Sequence, residues 1–114
     1  MTTKQLVQSY FQKVKEKSDW QSLIAENIKF ESPAPATVGK EAYLIAASRF
    51  FQMVVRHLVV EGDKACVWVN YSLLKNGRKF DCLVCELLEV QRIQIVSSAI
   101  LFDTLALKTF TTQN

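Results

Sequence analysis

The stretch that decides the fold runs from Val54 to Phe102 and contains four apolar runs: VVRHLVVE (54–61), ACVWVNYSLL (65–74), KFDCLVCELLEV (79–90) and IQIVSSAILF (93–102). The runs are rich in β-branched and aromatic residues, which favour strands, and short connections separate them. Asn76-Gly77 is the strongest hairpin signal in the chain, because both residues tolerate the positive φ of a tight turn, and Gly62 marks another turn. The pattern predicts four strands of one long, curled antiparallel sheet.

The residues before this stretch are predicted to be mainly helical. Residues 2–17 place apolar side chains on one helical face, and a short turn (19–26) and a short strand (28–32) follow. A second helix is predicted for KEAYLIAASRFFQM (40–53). Helices laid on such a curled antiparallel sheet give an α+β fold, in which the sheet, closed at one end by helices, makes a cup with an apolar interior.

Length and composition limit the classes of function. With 114 residues, 49% apolar and 22% charged, the chain is expected to be a single domain spanning residues 1–114. The net charge of +3 is too small for a nucleic-acid-binding surface. No apolar run is long enough to span a membrane, and the first residues do not resemble a secretory signal. We therefore expect a cytoplasmic protein with neither nucleic-acid nor membrane partners.

The sequence predicts no metal site and no cofactor. Cys82 and Cys85 have the spacing of a chelating pair, but residues three apart on a strand point to opposite faces. His57 is the only histidine and lacks the neighbours of a catalytic group, so we expect it at an exposed position of the sheet. The chain has no glycine-rich phosphate loop.

Strand alternation sorts the second run onto two faces. One face is continuous and apolar and is assigned to the cup; it carries Val67, Val69, Tyr71 and Leu73. The opposite face carries Trp68 beside Cys66 and polar residues, and a large aromatic side chain there predicts that a second copy covers this face. The residues predicted to contact a small apolar ligand in the cup are Phe30, Ser32, Phe50, Val69, Tyr71, Leu73, Val84 and Phe102.

Two polar residues are candidates for chemistry in the cup. Glu86 shares the face of the apolar residues of the third run, so it is either a pocket acid with a raised pKa or a strand-edge carboxylate that reaches water. Tyr10 lies on the buried face of the first helix, where a hydroxyl needs a partner. It either hydrogen-bonds Glu86 inside the cup or places its tip at the rim.

The order of these elements resembles the nuclear transport factor 2-like superfamily, in particular its ketosteroid isomerase and SnoaL-like polyketide cyclase branches. The resemblance covers nearly the whole chain and rests on the order and spacing of VQSYFQKV (7–14), WQSLIAENIKFESP (20–33), GKEAYLIAASRFF (39–51), VVEGDKACVWVNY (59–71), NGRKF (76–80) and IVSSAILFD (95–103). It implies a cone of curved sheet plugged by helices, and a homodimer through the outer face of the sheet.

The resemblance to ketosteroid isomerases also implies roles for single residues. Tyr10 stands in the VQ-x-Y pattern of the oxyanion tyrosine, and Glu86 stands eight positions past Arg78, where the family has an oxyanion aspartate. The family's carboxylate base directly precedes a proline at the end of the first strand, and here Ser32 precedes Pro33. A serine hydroxyl is too weakly acidic to shuttle protons unaided near neutral pH, so the classical isomerase activity is not expected.

Two functions remain open. One is a cofactor-free enzyme of the isomerase, cyclase or dehydratase kind that acts on a small apolar carbonyl compound through Tyr10 and Glu86. SnoaL-like cyclases place an acidic residue near the end of the sheet, so Asp103 is the candidate base; the alternative is a surface residue that starts the next turn. The other function is a non-catalytic ligand-binding or dimeric assembly domain that has lost its base, which Ser32 favours.

Overall fold

The computed structural model describes residues 1–33, 50 and 52–112. Helix α1 (Thr3–Glu16) confirms the predicted first helix and begins at a capping box, in which Thr2 and Gln5 exchange hydrogen bonds of 2.9 and 3.1 Å between side chain and backbone. The helix ends at Lys17, whose left-handed backbone (φ 56°) directs its N–H back to the last carbonyls. The chain therefore leaves the helix abruptly and turns toward the sheet.

Five strands form one curved sheet: β1 (Ile24–Glu31), β2 (Gln52–Glu61), β3 (Lys64–Lys75), β4 (Arg78–Gln91) and β5 (Gln94–Leu101). Their order across the sheet is β1-β5-β4-β3-β2. The four predicted strands are confirmed, and each pairs antiparallel with the next. The antiparallel arrangement predicted for these four strands does not extend to the first strand, because β1 pairs parallel with β5 at one edge of the sheet. No hairpin turn joins these two strands, so no turn geometry fixes their direction.

Three tight turns close the hairpins of the sheet, and the one between β2 and β3 contains the predicted Gly62, with φ of 60°. The turn between β3 and β4 is the predicted Asn76-Gly77, with φ of 52° and 76°. The turn between β4 and β5 is Arg92-Ile93, with φ of 52° and 61°, although arginine and isoleucine are not turn residues. A positive φ is especially unfavourable for a β-branched side chain, so the backbone at Ile93 is strained.

The predicted second helix (40–53) lies mostly outside the described residues. Its last two residues, Gln52 and Met53, belong to β2 and correct the predicted boundary. Met53 pairs with Tyr71 of β3 and buries its side chain in the core, so pairing with the neighbouring strand decides the backbone there. The predicted boundary was too late because the helical spacing of apolar residues continues into Gln52 and Met53, whose backbone is held extended by pairing with β3.

One core lies between α1 and the inner face of the sheet. The apolar face of α1 packs against β2 and β3, as the helical spacing predicted. Within the described residues the core consists of Leu6, Val7, Tyr10, Phe11, Val14, Trp20, Ile24, Ile28, Met53, Ala65, Val67, Val69, Leu88, Val90 and Ile95. The α+β arrangement of helices on one face of a curved sheet is therefore confirmed.

A second described helix, α2 (Thr104–Thr112), was not predicted from the sequence. Its Phe110 stacks on Phe80 of β4 with ring centroids 5.0 Å apart, and the guanidinium of Arg78 lies 5.6 Å from the Phe110 centroid. The helix thus covers the part of β4 that extends beyond the end of β5. Among the described residues, no helix has both the length and the apolar character needed to cross a membrane.

Candidate functional site

The candidate site lies on the inner face of β3 and β4. Val69 and Val84 stand opposite each other in the register of these strands, and both are buried. Glu86 follows two residues later on the same face and is only 4% exposed. The sequence-based placement of Glu86 among apolar residues is therefore confirmed, and its carboxyl does not reach water at a strand edge.

The partner of Glu86 is Tyr71, whose hydroxyl donates a hydrogen bond to Oε2 of the carboxyl. In the strand register Tyr71 stands opposite Cys82, four residues away from Glu86 along β4. On a flat sheet this offset corresponds to roughly 13 Å along the strand. The two side chains meet because the face is concave and its side chains converge above the valines. Alternation placed both residues on this face, but it carried no information on curvature.

Burial raises the pKa of Glu86 to about 7, well above the usual range of a glutamate, because the apolar surroundings penalise the charged form. The hydrogen bond from Tyr71 acts in the opposite direction, since it stabilises the ionised carboxylate, and it offsets only part of the effect of burial. A carboxyl with this pKa has both protonation states available near neutral pH. Among the described side chains of the inner face, Glu86 has the most strongly shifted pKa.

Tyr10 is buried in the core, as predicted, but it is not the hydrogen-bond partner of Glu86. Its ring packs edge-on against Phe11 and Trp20, with centroids 4.9 and 6.1 Å away. Tyr71 makes the hydrogen bond that was expected of Tyr10. The ring of Tyr10 is therefore packed among the aromatic side chains of Phe11 and Trp20.

The predicted ligand-contacting residues lie mainly on or beside this face. Phe50 contacts the ring of Tyr71 with centroids 5.0 Å apart, and Phe30 and Phe50 both pack against the core while remaining half-buried. Val69 and Val84 are buried, whereas the partly exposed members are Ser32, Leu73 and Phe102.

The two positions considered for a catalytic base differ in their surroundings. Ser32 is half-buried directly after the end of β1. Asp103 is exposed, and its carboxylate accepts a hydrogen bond of 2.9 Å from the backbone N–H of Ala106. Asp103 therefore caps the N-terminus of α2, which is the turn-starting role considered from the sequence. Its negative charge also helps burial to raise the pKa of the Cys82 thiol.

Ser98 is a further polar residue of the inner face that the sequence did not single out. It stands opposite Leu88 on the neighbouring strand and is completely buried. Its hydroxyl has no hydrogen-bond partner in the described part of the chain. Ser98 therefore contrasts with Glu86, whose carboxyl is buried with a partner.

A separate open groove of about 630 Å³ runs between α1 and the edge strand β2. Its polar side is formed by Gln8, Ser9, Gln12 and Lys15 of the helix, and its floor includes Met53 and Leu58 of the strand. None of the predicted site residues lines it. The groove therefore offers a reference surface that is distinct from the Tyr71–Glu86 pair.

The outer face of the sheet exposes large apolar side chains. Trp68 is 46% exposed and is flanked by residues that are at least as exposed, namely Val59, Leu83, Leu87 and Leu101. His57 is exposed beside Trp68, as predicted, with ring centroids 5.8 Å apart. The register places these residues on neighbouring strands, so they form one continuous outer apolar face.

Potential metal ligands do not cluster in the part of the chain that the structure describes. In residues 1–33, 50 and 52–112, no three His, Cys, Asp or Glu side chains are grouped as a metal site would require. Cys82 faces the interior and is buried, whereas Cys85 lies on the outer face near Cys66. The two cysteines of the CxxC sequence therefore point to opposite faces, as strand alternation predicted.

The family model of the SnoaL-like domain matches residues 7–98. A nuclear transport factor 2-like protein from Burkholderia thailandensis shares the fold with a TM-score of 0.83 and 19% identity, covering 99% of each chain. A similar protein from Cytophaga hutchinsonii has a TM-score of 0.80 and 22% identity over 95% of this chain and 96% of its own. An LEH-like epoxide hydrolase of M. tuberculosis has a TM-score of 0.74 and 13% identity over 92% of this chain and 85% of its own.

No curated protein matches the sequence significantly. The identities to the solved structures are low, so these likenesses establish the cone-shaped fold and not an activity. The family match, in contrast, extends over most of the chain. The chain belongs to the SnoaL-like family of the nuclear transport factor 2-like superfamily.

Proposed function

We propose that the inner face of the sheet binds a small, mainly apolar molecule and holds its one polar oxygen at the Tyr71–Glu86 pair. The observation that carries this proposal is a buried carboxyl with a tyrosine partner on a concave face that is otherwise apolar. Ligand sites in proteins are usually apolar and carry a few convergent polar groups. The half-buried rings of Phe30 and Phe50 supply apolar contacts beside the pair.

The protonation state of Glu86 decides what the pair offers a ligand. When Glu86 is protonated, the pair holds two O–H protons, and only one of them is needed to join the two side chains. The second proton is available to a ligand carbonyl. When Glu86 is ionised, the single remaining proton joins Tyr71 to the carboxylate. Carbonyl binding should therefore weaken as the pH rises through the pKa of Glu86, which is about 7.

A titration with matched ligands tests this proposal. A cyclic ketone, the corresponding alcohol and the corresponding hydrocarbon are added to ¹⁵N-labelled protein, and amide shifts are followed by NMR below and above pH 7. We expect the ketone to perturb β3 and β4 around Val69 and Val84, with at least a several-fold weaker affinity at the higher pH. The Glu86→Gln variant should lose this pH dependence because its amide does not ionise.

The control for the titration is the groove between α1 and β2. Gln12→Ala alters that groove without touching the inner face, so it should leave ketone affinity unchanged. Ketone shifts confined to α1 and β2, or equal affinities for ketone and hydrocarbon at both pH values, would contradict the proposal.

Acid–base catalysis is the second candidate, and the pKa of about 7 at Glu86 is the observation that favours it. A group with such a pKa can both donate and accept a proton near neutral pH. The position of the family's base holds Ser32, and Asp103 is engaged in capping α2. We therefore expect no detectable isomerisation of a 3-oxo steroid by the wild-type protein. Turnover in the ordinary enzyme range of ~1–1000 per second would show that this chain supplies a base elsewhere.

We further propose that the protein forms a homodimer through the outer apolar face. Monomeric proteins rarely expose a continuous patch of this kind, and a second copy of the same face offers the matching apolar surface. Trp68 lies near the middle of the patch, between β2 and β4. Aromatic residues at the centre of an interface usually contribute most to its affinity. The patch and the ligand site would then occupy opposite faces of one sheet.

A further inference from the structure

Cys66 and Cys85 lie side by side in the outer apolar face. Their Sγ atoms are 3.6 Å apart, within hydrogen-bonding distance for sulfur. In the strand register Cys66 stands opposite Leu87 and Cys85 opposite Trp68, so the two cysteines are diagonal neighbours. Strand pairing therefore brings together two thiols that are nineteen residues apart in the sequence.

Both thiols are half-buried and free, and no other cysteine is near enough to compete with this pairing. Cys82, the third cysteine, is buried on the inner face of the same strand. Burial and the neighbouring Cys85 raise the pKa of the Cys66 thiol. The Cys66 thiol is therefore protonated at neutral pH, and the reactivity of a thiol increases with pH as thiolate forms.

We propose that Cys66 and Cys85 are an oxidisable dithiol, which low-molecular-weight disulfides convert into an intrachain disulfide between β3 and β4. Thiolate attack on the small disulfide forms a mixed disulfide and releases one small thiol. The second cysteine then attacks the protein sulfur of that mixed disulfide and releases the other small thiol. The protons of both cysteines end on the released thiols, and the small disulfide is the oxidant that is reduced.

The register also indicates how stable the product is. Diagonal Cα atoms on neighbouring strands are ~7–8 Å apart in a regular ladder, whereas disulfides usually span ~4.4–6.8 Å. The sulfurs must also approach from 3.6 Å. Closing the bond therefore draws β3 and β4 together between Trp68 and Leu87. A disulfide formed against the preferred strand spacing is readily reduced, so the modification is reversible by ordinary thiols.

The access of small disulfides to the dithiol should also depend on the proposed homodimer, and this part of the inference rests on that proposal. Trp68 and Leu87 flank the two cysteines and belong to the outer apolar face. A second copy on this face would shield both thiols from small disulfides. Oxidation would then proceed through the monomer, and its observed rate would fall as the protein concentration rises.

Oxidation with glutathione disulfide tests the chemistry. Reduced Cys82→Ala protein, which retains only the pair, is diluted to a concentration at which sedimentation shows monomer and is then incubated with the disulfide. We expect the intact mass to fall by two hydrogens with no retained glutathione. Trypsin should then yield a linked pair of peptides, residues 65–75 with residues 80–92, and reduced glutathione should restore the original mass.

Single variants provide the matched controls. Cys66→Ser and Cys85→Ser, each combined with Cys82→Ala, have no second thiol, so each should stop at a mixed disulfide and gain one glutathione. The proposal is overturned if the monomeric pair also stops at a stable glutathione adduct, forms only a disulfide between two chains, or stays reduced. A wild-type oxidation rate that does not change with protein concentration would overturn the shielding by the dimer and leave the dithiol intact.

Discussion

The two faces of the sheet depart from the usual distribution of side chains in opposite ways. The inner face buries a carboxyl group, Glu86, whereas the outer face leaves Trp68, Leu83, Leu87 and Leu101 exposed to solvent. Burial disfavours the charged form of a carboxyl group, and an exposed apolar patch favours association with another protein surface. Under the proposed function, the buried acid of the inner face receives a polar ligand atom, and the exposed patch of the outer face receives a second copy of the chain.

On the outer face, a single substitution is expected to change the oligomeric state. Trp68→Glu places a charge in the middle of the apolar patch, so we expect the dimer dissociation constant to rise at least about 30-fold, as for loss of a ~2 kcal/mol hot spot. Sedimentation velocity over a range of concentrations measures this. Leu105→Glu, on α2 and outside the face, is the control and should leave the dimer intact. A wild-type protein that is monomeric at micromolar concentration would refute the proposed interface.

On the inner face, the shape of Glu86 should matter more than its charge. Glu86→Ala removes the hydrogen-bond acceptor of Tyr71 and leaves a void, so we expect it to lower the free energy of unfolding by about 2–4 kcal/mol. Glu86→Gln keeps the volume and an acceptor and should cost less than about 1 kcal/mol. Urea unfolding at pH 7 measures both. Equal losses for the two variants would mean that the side chain contributes little packing.

The charge of Glu86 should appear in the pH dependence of stability. Because the pKa of Glu86 is raised to about 7 in the folded state, above that of an unfolded glutamate, the stabilisation is fully present below the unfolded pKa and is lost as the pH rises through about 7. The loss should be about 3 kcal/mol at most, since one pKa unit corresponds to ~1.4 kcal/mol.

Urea unfolding from about pH 4 to pH 8 checks this dependence, and Glu86→Gln should flatten it. Asp81 acts in the opposite sense, since the hydrogen bond from Ser72 lowers its pKa and its contribution is lost as the pH falls. Asp81→Asn is therefore the control that separates the two carboxyl groups. An NMR titration midpoint of Glu86 near ~4.3 would contradict the buried assignment.

The smallest effect is expected at Ser98, the other buried polar residue of the inner face. Its hydroxyl has no partner in the described residues, so Ser98→Ala removes a polar group that gains nothing from burial. We expect the variant to be neutral or up to about 1 kcal/mol more stable. Thermal unfolding compares it with the wild type. A clear destabilisation would show that the hydroxyl has a partner that Ala removes.

Most of the sheet could be predicted from the sequence because its signals are local. Alternation alone assigned Val69, Tyr71 and Glu86 to one face and Trp68 to the other, and Asn76-Gly77 marked its hairpin. These features depend on neighbours along a strand or within a turn, which a sequence pattern records.

The features that the sequence did not predict depend on distant contacts. The parallel pairing of β1 with β5 and the stacking of Phe110 on Phe80 join segments without a local signal. The Tyr71–Glu86 bond needs the curvature of the sheet, which alternation does not encode. For Tyr10 the sequence left open a hydrogen bond to Glu86 or a position at the rim, and its place in the aromatic cluster could not be read from helical spacing.

The turns at Asn76-Gly77 and Arg92-Ile93 suggest a temporal order for the strands that they join. Asn76-Gly77 adopts its positive φ values readily, so β3 and β4 can pair early, on the ~1–10 μs scale of hairpin formation. Arg92-Ile93 resists the same backbone shape, so β5 gains little from its turn and must wait for contacts with the core and with β1. We expect folding to nucleate at the β3–β4 hairpin, where Tyr71 and Glu86 lie, and to finish at the edge formed by β1 and β5.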